Sequence, residues 1–454
     1  MTDAPPPSSG SLLRVLGVAF GLAVIIGNTI GGGILRTPGT VAANLPTPAL
    51  FIGVWLLGGL YALLGAVSVA ELGAAIPRAG GQYTFASRAI GRYAGFVVGW
   101  SDWLSTCGSA TAAGIVIGEY LPTFIPILEG QTTAIAVAVI LVFTFIQWCG
   151  VVWGGRTQEL TSLLKALAFL ALIVACFAVA APAGAVAAVE APPAPTGCAI
   201  AAAVVIALQG VLYTYDGWTG VIYFSEEVHD PGRDVPRAMI GGVLLVIAIY
   251  VLLNAALLYV LPIGAIAASK LPAGLAAETI FGANGDTVIR VLAILSMLSA
   301  INAFMMMASR TLFGMSRDGL FHRVASRVNR GGTPAIALWI GAAVAIVFLF
   351  IGAFDQVVAV LAFFFVVSYT VSFSAVFILR WREPELERPY RAWGFPFTTG
   401  LVLIGSVVFL VGAVLSDPVN SAWAVYALLA SYPVYWLTQR SGNSNQNPER
   451  TRGA

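Results

Sequence analysis

The first hydrophobic run of the chain contains Gly27-Asn28-Thr29-Ile30-Gly31-Gly32-Gly33 near its centre. Three consecutive glycines oppose a continuous helix, because each costs about 1 kcal/mol relative to alanine. Within lipid, an opened turn also exposes amides and carbonyls that water cannot reach, so it is tolerated where it lines a cavity or binds a ligand. The stretch therefore predicts a broken membrane helix, with close packing of helices through small residues as the alternative.

Composition places this run in a membrane protein. Hydrophobic residues make up 59% of the chain and charged residues 10%, whereas about a quarter of a soluble domain is charged. The apolar residues occur in runs of about 18 to 27, long enough for a helix to cross a bilayer, without the alternation of a β-barrel. We predict an all-α membrane protein with about twelve transmembrane helices. The predicted spans are residues 13–40, 49–75, 95–121, 132–152, 159–182, 198–222, 238–262, 287–314, 334–352, 356–379, 397–415 and 419–437.

The distribution of lysine and arginine predicts the orientation of the chain. With a cytoplasmic N-terminus, every lysine and arginine lies on the cytoplasmic side except Arg36, Lys165, Lys270 and Arg290, as the positive-inside rule requires. We therefore expect cytoplasmic termini in a cell (inner) membrane protein, and no nucleic acid partner. The cysteines and histidines show no metal or catalytic spacing, so we expect no metal, no cofactor and no enzyme activity.

A second interruption, Tyr213-Thr214-Tyr215-Asp216-Gly217-Trp218-Thr219-Gly220, lies in the sixth predicted span. A carboxylate in mid-membrane costs about 2.5–3.5 kcal/mol, although Asp216 near the cytoplasmic end of its helix would be an ordinary polar residue. The first and sixth spans are corresponding members of two halves with five helices each. Because five is odd, the second half enters the membrane with inverted topology. Paired interruptions at matching positions indicate a binding site near the membrane midplane.

The chemistry of broken helices suggests the ligand. The second half of a broken helix presents amides with partial positive charge, and the first half presents carbonyls with partial negative charge. Glycine amides allow close approach of an anion, while the carbonyls can accept hydrogen bonds from an ammonium group, so the pair suits a zwitterionic amino acid. The predicted substrate-binding residues are Thr29, Gly31, Gly32, Gly33, Tyr213, Thr214 and Asp216.

Short motifs spread over residues 15–395 resemble those of the amino acid, polyamine and organocation (APC) superfamily. They are Ile26 to Ile34, Glu71-Leu-Gly-Ala-Ala-Ile-Pro77 with Gly80-Gly-Gln-Tyr83, Tyr213 to Trp218, Glu226-Glu-Val with Pro231 and Pro236-Arg-Ala238, Ser316-Arg-Asp-Gly-Leu320 with Thr333-Pro334, and Arg382-Glu-Pro384 with Arg388-Pro-Tyr-Arg391. Each motif is weak alone, but the series in register is specific.

The resemblance implies a LeuT-like 5+5 inverted repeat with two further C-terminal helices and alternating access around a central site. Residues 13–182 and 198–379 are then the two halves, and residues 397–437 form helices 11 and 12. Residues 1–12 are expected to be a disordered cytoplasmic N-terminus, and residues 440–454 a cytoplasmic tail.

Lys165 in the fifth predicted span strengthens the similarity to bacterial permeases and exchangers related to the L-type transporter light subunits. The resemblance implies that its ammonium group bridges the broken first helix and the eighth, where sodium binds in sodium-coupled relatives. Transport is then sodium-independent, and Lys165 is a coupling or structural cation. The alternative is a side chain that snorkels to the cytoplasmic interface.

The leading interpretation is transport of a small neutral amino acid, by proton-coupled uptake or by exchange. Gly32 replaces the small polar residue usual in this family, and Asp216 is absent from many members, so a transporter of cationic amino acids or polyamines is the alternative. A membrane enzyme, which needs convergent catalytic groups, or a sensor, which needs an appended soluble domain, is a third class that this stretch of sequence does not favour. The loop of residues 121–131 lacks the cysteine that joins animal relatives to a single-span subunit, so no obligatory accessory subunit is expected.

Overall fold

The computed structural model describes residues 12–179, 189–197, 199–351, 354–416 and 418–444. Helices account for most of this part of the chain, and its only extended pairing is an isolated parallel bridge between Leu16 and Val228. The helices are α1 (Val18–Thr29), α2 (Gly33–Asn44), α3 (Pro48–Ala75), α4 (Gln82–Ala89), α5 (Arg92–Tyr120), α6 (Thr132–Trp148), α7 (Val151–Ala178), α8 (Ala199–Tyr215), α9 (Pro231–Val260), α10 (Ile263–Ala268), α11 (Pro272–Phe281), α12 (Gly285–Arg317), α13 (Ala335–Ile351), α14 (Phe354–Arg382), α15 (Phe397–Ser416) and α16 (Pro418–Ser444).

Many of these helices are long and apolar enough to cross a membrane. By length and composition, six segments of the described chain qualify, and the pair α1 and α2 adds a seventh if it is counted as one span bent by 52°. The six are Pro48–Ala75, Val151–Ala178, Ala199–Phe224, Pro231–Val260, Pro272–Arg317 and Phe363–Arg382. Three shorter apolar helices are Thr132–Trp148, Ala335–Phe350 and Phe397–Gly412. The protein is therefore a helical, multi-pass membrane protein.

The fifth predicted span begins earlier than its hydropathy indicated. α7 starts at Val151 rather than near residue 159. Gly150 turns the chain with φ +148°, and the Val151 amide donates to the Gly331 carbonyl at 2.9 Å. The polar stretch that follows is already helical. Gln158 and Ser162 on it are buried in protein, whereas Arg156 and Glu159 are exposed.

Other differences concern short or terminal segments. α4, α10 and α11 were not predicted, because they are too short to span a membrane. α16 continues to Ser444, so residues 440–444 of the predicted tail are helical. Leu12 is buried and packs in the core. The remaining parts of the predicted termini, residues 1–11 and 445–454, lie outside the described residues, as do residues 180–182, 198 and 352 of three predicted spans.

Ion pairs concentrate at one end of the bundle, which we call the arginine-rich end. The pairs are Arg78–Asp318, Arg88–Glu383, Arg310–Glu227, Arg317–Glu226, Arg380–Glu71 and Arg388–Glu71. Glu71 is fully buried, and it also accepts from the Ala392 amide at 2.7 Å. Because each pair joins segments far apart in sequence, the helices are tied together at this end.

Candidate functional site

The first break separates α1 from α2. α1 ends at Thr29 and α2 begins at Gly33, so residues 30–32 leave the helical path and the two axes meet at 52°. Among the described residues, the amides of Gly31 and Gly32 have no hydrogen-bond acceptor. The break therefore presents free amides next to the carbonyl end of α1.

Lys165 on α7 holds the end of α1. Its Nζ donates to the carbonyls of Gly27 (2.8 Å) and Ile30 (2.7 Å), and its side chain is completely buried. Carbonyls at the end of a helix have no partner within the helix. Lys165 supplies the missing donors, and the alternative of a side chain that snorkels to the surface is wrong.

A buried polar network connects α7 with α12. Ser162 Oγ lies 2.9 Å from Ser299 Oγ, and Asn302 Nδ2 donates to Gln158 Oε1 at 2.9 Å. The resemblance implied that Lys165 itself bridges the first and eighth predicted spans. Its two hydrogen bonds instead reach the first span, and the serine and amide side chains of this network make the connection to the eighth.

The second break follows α8. The helix ends at Tyr215, and the chain continues through a turn into a short 3-10 helix, Gly220–Phe224. Gly217 has φ +111°, a conformation that residues with a side chain rarely adopt, and a Cβ there would lie 2.9 Å from the Thr29 nitrogen. Asn28 Nδ2 donates to the Gly217 carbonyl at 3.2 Å. The two breaks are therefore in direct contact.

Tyr250 on α9 joins the ends of the two broken helices. Its buried hydroxyl lies 2.9 Å from the carbonyl oxygens of both Thr29 and Thr214. The single hydroxyl hydrogen serves one carbonyl at a time, so the two carbonyls share this donor. The carbonyls that were expected to accept from an ammonium group thus already have a donor from the protein, with further lone pairs left for a ligand.

A cavity of about 390 Å³ lies against both breaks. Every predicted substrate-binding residue lines it, and Lys165 does not. The cavity also borders Arg36 and Tyr120, so it extends away from the arginine-rich end. Side chains from α5, α12 and α14 complete the wall, and they include Ser109, Ala112, Met297, Ala300, Phe304 and Phe365.

Two buried polar atoms next to the cavity have no hydrogen-bond partner in the described part of the chain. They are Asn28 Oδ1 and Thr29 Oγ1, and both residues line the cavity. Buried polar groups are nearly always hydrogen-bonded, so each exception needs an explanation. Neither atom has accessible surface in this conformation, so a polar ligand would pair with them only after a local rearrangement of the break.

Comparison with known proteins assigns the chain to a family. The family model described as amino acid permease matches residues 11–438. The chain belongs to the amino acid permease family.

The serine/threonine exchanger SteT of Bacillus subtilis (strain 168) is 31% identical over 432 residues, which cover 94% of this chain and 97% of the exchanger. The large neutral amino acids transporter small subunit 2 of Oryctolagus cuniculus is 28% identical, with 96% of this chain and 83% of the relative covered. The Asc-type amino acid transporter 1 of Mus musculus is 27% identical, with coverages of 94% and 81%. The resemblance noted in the sequence is thus confirmed.

Asp216 is the acidic side chain at the permease cavity. It accepts a hydrogen bond from the Tyr369 hydroxyl, and the Tyr369 ring stacks on Trp218 with centroids 4.9 Å apart. Within the described residues, no arginine or lysine forms an ion pair with Asp216. The carboxyl is therefore held in place by a neutral donor and remains available to a polar ligand.

Tyr250 is a residue of the permease site that the sequence did not indicate, and its hydroxyl is testable. Tyr250→Phe removes the one donor that the two buried carbonyls share, which costs about 1–3 kcal/mol. We expect transport to slow about tenfold and the thermal unfolding temperature in detergent to fall. Tyr259→Phe on the same helix is the control, because Tyr259 is 59% exposed and should behave as wild type. Wild-type transport and stability in Tyr250→Phe would contradict this role.

Proposed function

We propose that this permease carries small neutral amino acids across the cell membrane by alternating access, without sodium. The observation that carries the proposal is the cavity at the two breaks, where free amides and unpartnered polar atoms meet. The relatives are named as a serine/threonine exchanger and as transporters of neutral amino acids, which supports the same substrate class for this chain.

The proposed binding mode follows from the helix ends. The amides of Gly31, Gly32 and Gly33 would bind the substrate carboxylate, assisted by the partial positive charge of the α2 N-terminus. The substrate ammonium would contact the carbonyls of Thr29 and Thr214, because a carbonyl oxygen accepts two hydrogen bonds and Tyr250 supplies at most one. Tyr213 and Asp216 would lie beside the substrate side chain.

The cavity wall favours a small neutral substrate. Aliphatic side chains, methionine and phenylalanine form about half of its lining, and its charged members are Arg36 and Asp216. Arg36 lies a turn beyond the break and is exposed, whereas Asp216 is at the second break. The unpaired carboxyl of Asp216 is also the one observation that favours the second candidate function, transport of cationic amino acids or polyamines.

We further propose the LeuT-like architecture that the resemblance implies. Twelve spans would comprise two inverted halves, residues 13–182 and 198–379, followed by two helices in residues 397–437. Support comes from the contact between the breaks of the first and sixth predicted spans, because inverted repeats bring corresponding broken helices together at a midplane site.

The proposed orientation sets the arginine-rich end in the cytoplasm, with both termini. Arginine is enriched in cytoplasmic loops, and the ion pairs Arg78–Asp318 and Arg317–Glu226 lie at this end. Because the cavity extends the other way, the structure would correspond to an outward-facing state of a cell (inner) membrane transporter. The missing cysteine in residues 121–131 supports function without an accessory subunit.

The proposal is tested by uptake of labelled amino acids into proteoliposomes. A panel of neutral, cationic and acidic amino acids and a polyamine is supplied with or without a proton gradient, a sodium gradient and internal unlabelled substrate. We expect uptake of small neutral amino acids that does not need sodium. Uptake of cationic amino acids or the polyamine alone would replace the leading function with the second candidate, and no uptake of any compound would refute both.

Gly32 allows a direct test of the proposed carboxylate site. Its backbone is helical, and an added Cβ would meet no atom within 4 Å, so Gly32→Ala should fold normally. The methyl group would stand in the cavity beside the substrate carboxylate, so we expect the KM to rise about tenfold, equivalent to about 1.4 kcal/mol of binding. The control is Gly53→Ala on α3, which also has open space at its Cβ and lies away from the cavity. An unchanged KM in Gly32→Ala would place the carboxylate elsewhere.

A further inference from the structure

Asp102 on α5 is a buried carboxyl outside the substrate cavity. It is 1% exposed, and both of its oxygens lie close to a single donor, the Tyr223 hydroxyl, at 2.9 and 2.7 Å. In the described part of the chain, no lysine, arginine or histidine pairs with it. An ionised carboxylate buried without a cation costs several kcal/mol, so such a group instead keeps its proton.

Tyr223 offers little compensation for a negative charge on Asp102. A phenol has one hydrogen, so a single O–H is shared between the two Asp102 oxygens at 2.9 and 2.7 Å. A buried carboxylate ordinarily needs a cation or several hydrogen-bond donors. With this one shared donor, the neutral, protonated carboxyl is the favoured form while the contact is intact.

Among the described residues, the surroundings of Asp102 offer no compensating cation. Tyr223 is the ionisable side chain in hydrogen-bond contact with it. On α12, which packs along α5, Arg310 and Arg317 are engaged by Glu227 and Glu226. From α4, the neutral Gln82 contacts the Tyr223 hydroxyl and accepts from Ser372 Oγ of α14 at 2.8 Å.

Tyr223 lies on the segment that links the second break to the arginine-rich end. It belongs to the 3-10 helix Gly220–Phe224, and its carbonyl accepts from the Gly80 amide at 3.2 Å. Its ring packs on Gly81, which has φ +78° and where a Cβ would lie 2.6 Å from the ring Cδ1. The next residues of the chain carry Glu226 and Glu227, which pair with arginines of α12. Opening this end would therefore separate Tyr223 from Asp102.

We propose that Asp102 is the proton-binding site of this permease. It is protonated while the arginine-rich end is closed. When that end opens, Tyr223 departs, water reaches the carboxyl, and the proton passes to water on the cytoplasmic side. The site binds a proton again when the arginine-rich end closes. The inference rests on the proposed transport function and makes the permease a proton symporter whose proton is carried by Asp102 rather than by Lys165.

The first test measures proton movement. Wild-type and Asp102→Asn permeases are placed in proteoliposomes that contain a pH-sensitive dye, and a small neutral amino acid is added outside. We expect wild-type uptake to acidify the lumen and the variant to give at least about tenfold less acidification per substrate. Glu129→Gln, which removes an exposed carboxyl in a loop, should acidify as wild type. Equal acidification by Asp102→Asn and wild type, or none by wild type during net uptake, would overturn the inference.

The second test separates this inference from the proposed function. Exchange of labelled for unlabelled amino acid is measured from about pH 5 to about pH 8, where buried carboxyls titrate. Asp102→Asn should flatten the pH profile. Tyr223→Phe removes the one side-chain donor that Asp102 has among the described residues, so it should shift the profile to higher pH. A profile that both variants leave at the wild-type position means that Asp102 is only structural. Absence of exchange in the wild type would instead refute the transport function.

An infrared measurement does not depend on activity. At neutral pH, the detergent-solubilised wild type should show the C=O band of a protonated carboxyl, and the difference spectrum against Asp102→Asn should contain it. A difference spectrum with only carboxylate bands would overturn the proposal even if the Asn variant transported poorly.

Discussion

Lys165→Met is expected to reduce amino acid uptake by at least about a hundredfold. Lys165 Nζ is a buried donor to the carbonyls of Gly27 and Ile30. Without it, two carbonyls at the break of α1 lose their partners, and each unsatisfied buried group costs about 1–3 kcal/mol. Because methionine keeps nearly the same length without donors, the effect isolates the hydrogen bonds. Uptake into proteoliposomes, normalised to the amount of inserted protein, measures it.

The permease provides a matched control for this prediction. Lys270 is exposed in the segment between α10 and α11, so Lys270→Met should transport as wild type. Uptake in Lys165→Met above about a tenth of the wild-type rate would show that the break keeps its shape without the lysine. If the wild type couples to protons and Lys165→Met keeps the coupling ratio at a reduced rate, the lysine is a structural cation, as the Asp102 proposal requires.

Hydropathy predicted the helices well, because a span in lipid must satisfy its backbone within itself and be apolar over its length. Hydropathy misplaced the start of α7 because this part of the helix carries polar residues that are buried in protein. Gln158 and Ser162 face other helices rather than lipid, and hydropathy cannot distinguish a polar side chain buried in protein from one in a loop. The helices α4, α10 and α11 are shorter than a membrane span, so hydropathy does not indicate them.

The breaks were predicted because glycine clusters and an acid disrupt a membrane helix locally. The contacts that fix the breaks are not local. Tyr250 meets Thr29 across 221 residues, and Tyr223 meets Asp102 across 121 residues. A tyrosine in a span resembles the many tyrosines at membrane interfaces, so only the fold shows that these hydroxyls serve backbone carbonyls and a buried acid.

Arg310→Ala is expected to destabilise the permease by about 3–5 kcal/mol, the usual cost of removing one partner of a buried ion pair. Arg310 is 1% exposed and Glu227 is fully buried. Arg310 Nε and Nη2 donate to the two Glu227 oxygens at 2.8 and 2.9 Å. Removing the guanidinium leaves a buried carboxylate without a cation. The midpoint of thermal unfolding in detergent should fall strongly, and the yield of folded protein with it.

The same change also releases the start of α1 from the second broken span. The Glu227 carbonyl accepts from the amides of Val15 and Leu16, both at 3.0 Å, so a displaced Glu227 loosens the segment that leads into α1. The exposed pair Arg78–Asp318 provides the control. Ion pairs in solvent contribute little to stability, so Arg78→Ala should unfold close to the wild-type midpoint.

The double variant Arg310→Met with Glu227→Leu removes both charges. It should recover much of the lost stability, since replacing a buried ion pair by apolar residues often leaves stability unchanged. Equal destabilisation by the single and double variants would mean that packing of the arginine against Phe224, whose ring centroid lies 5.4 Å from the guanidinium carbon, matters more than the unpaired charge.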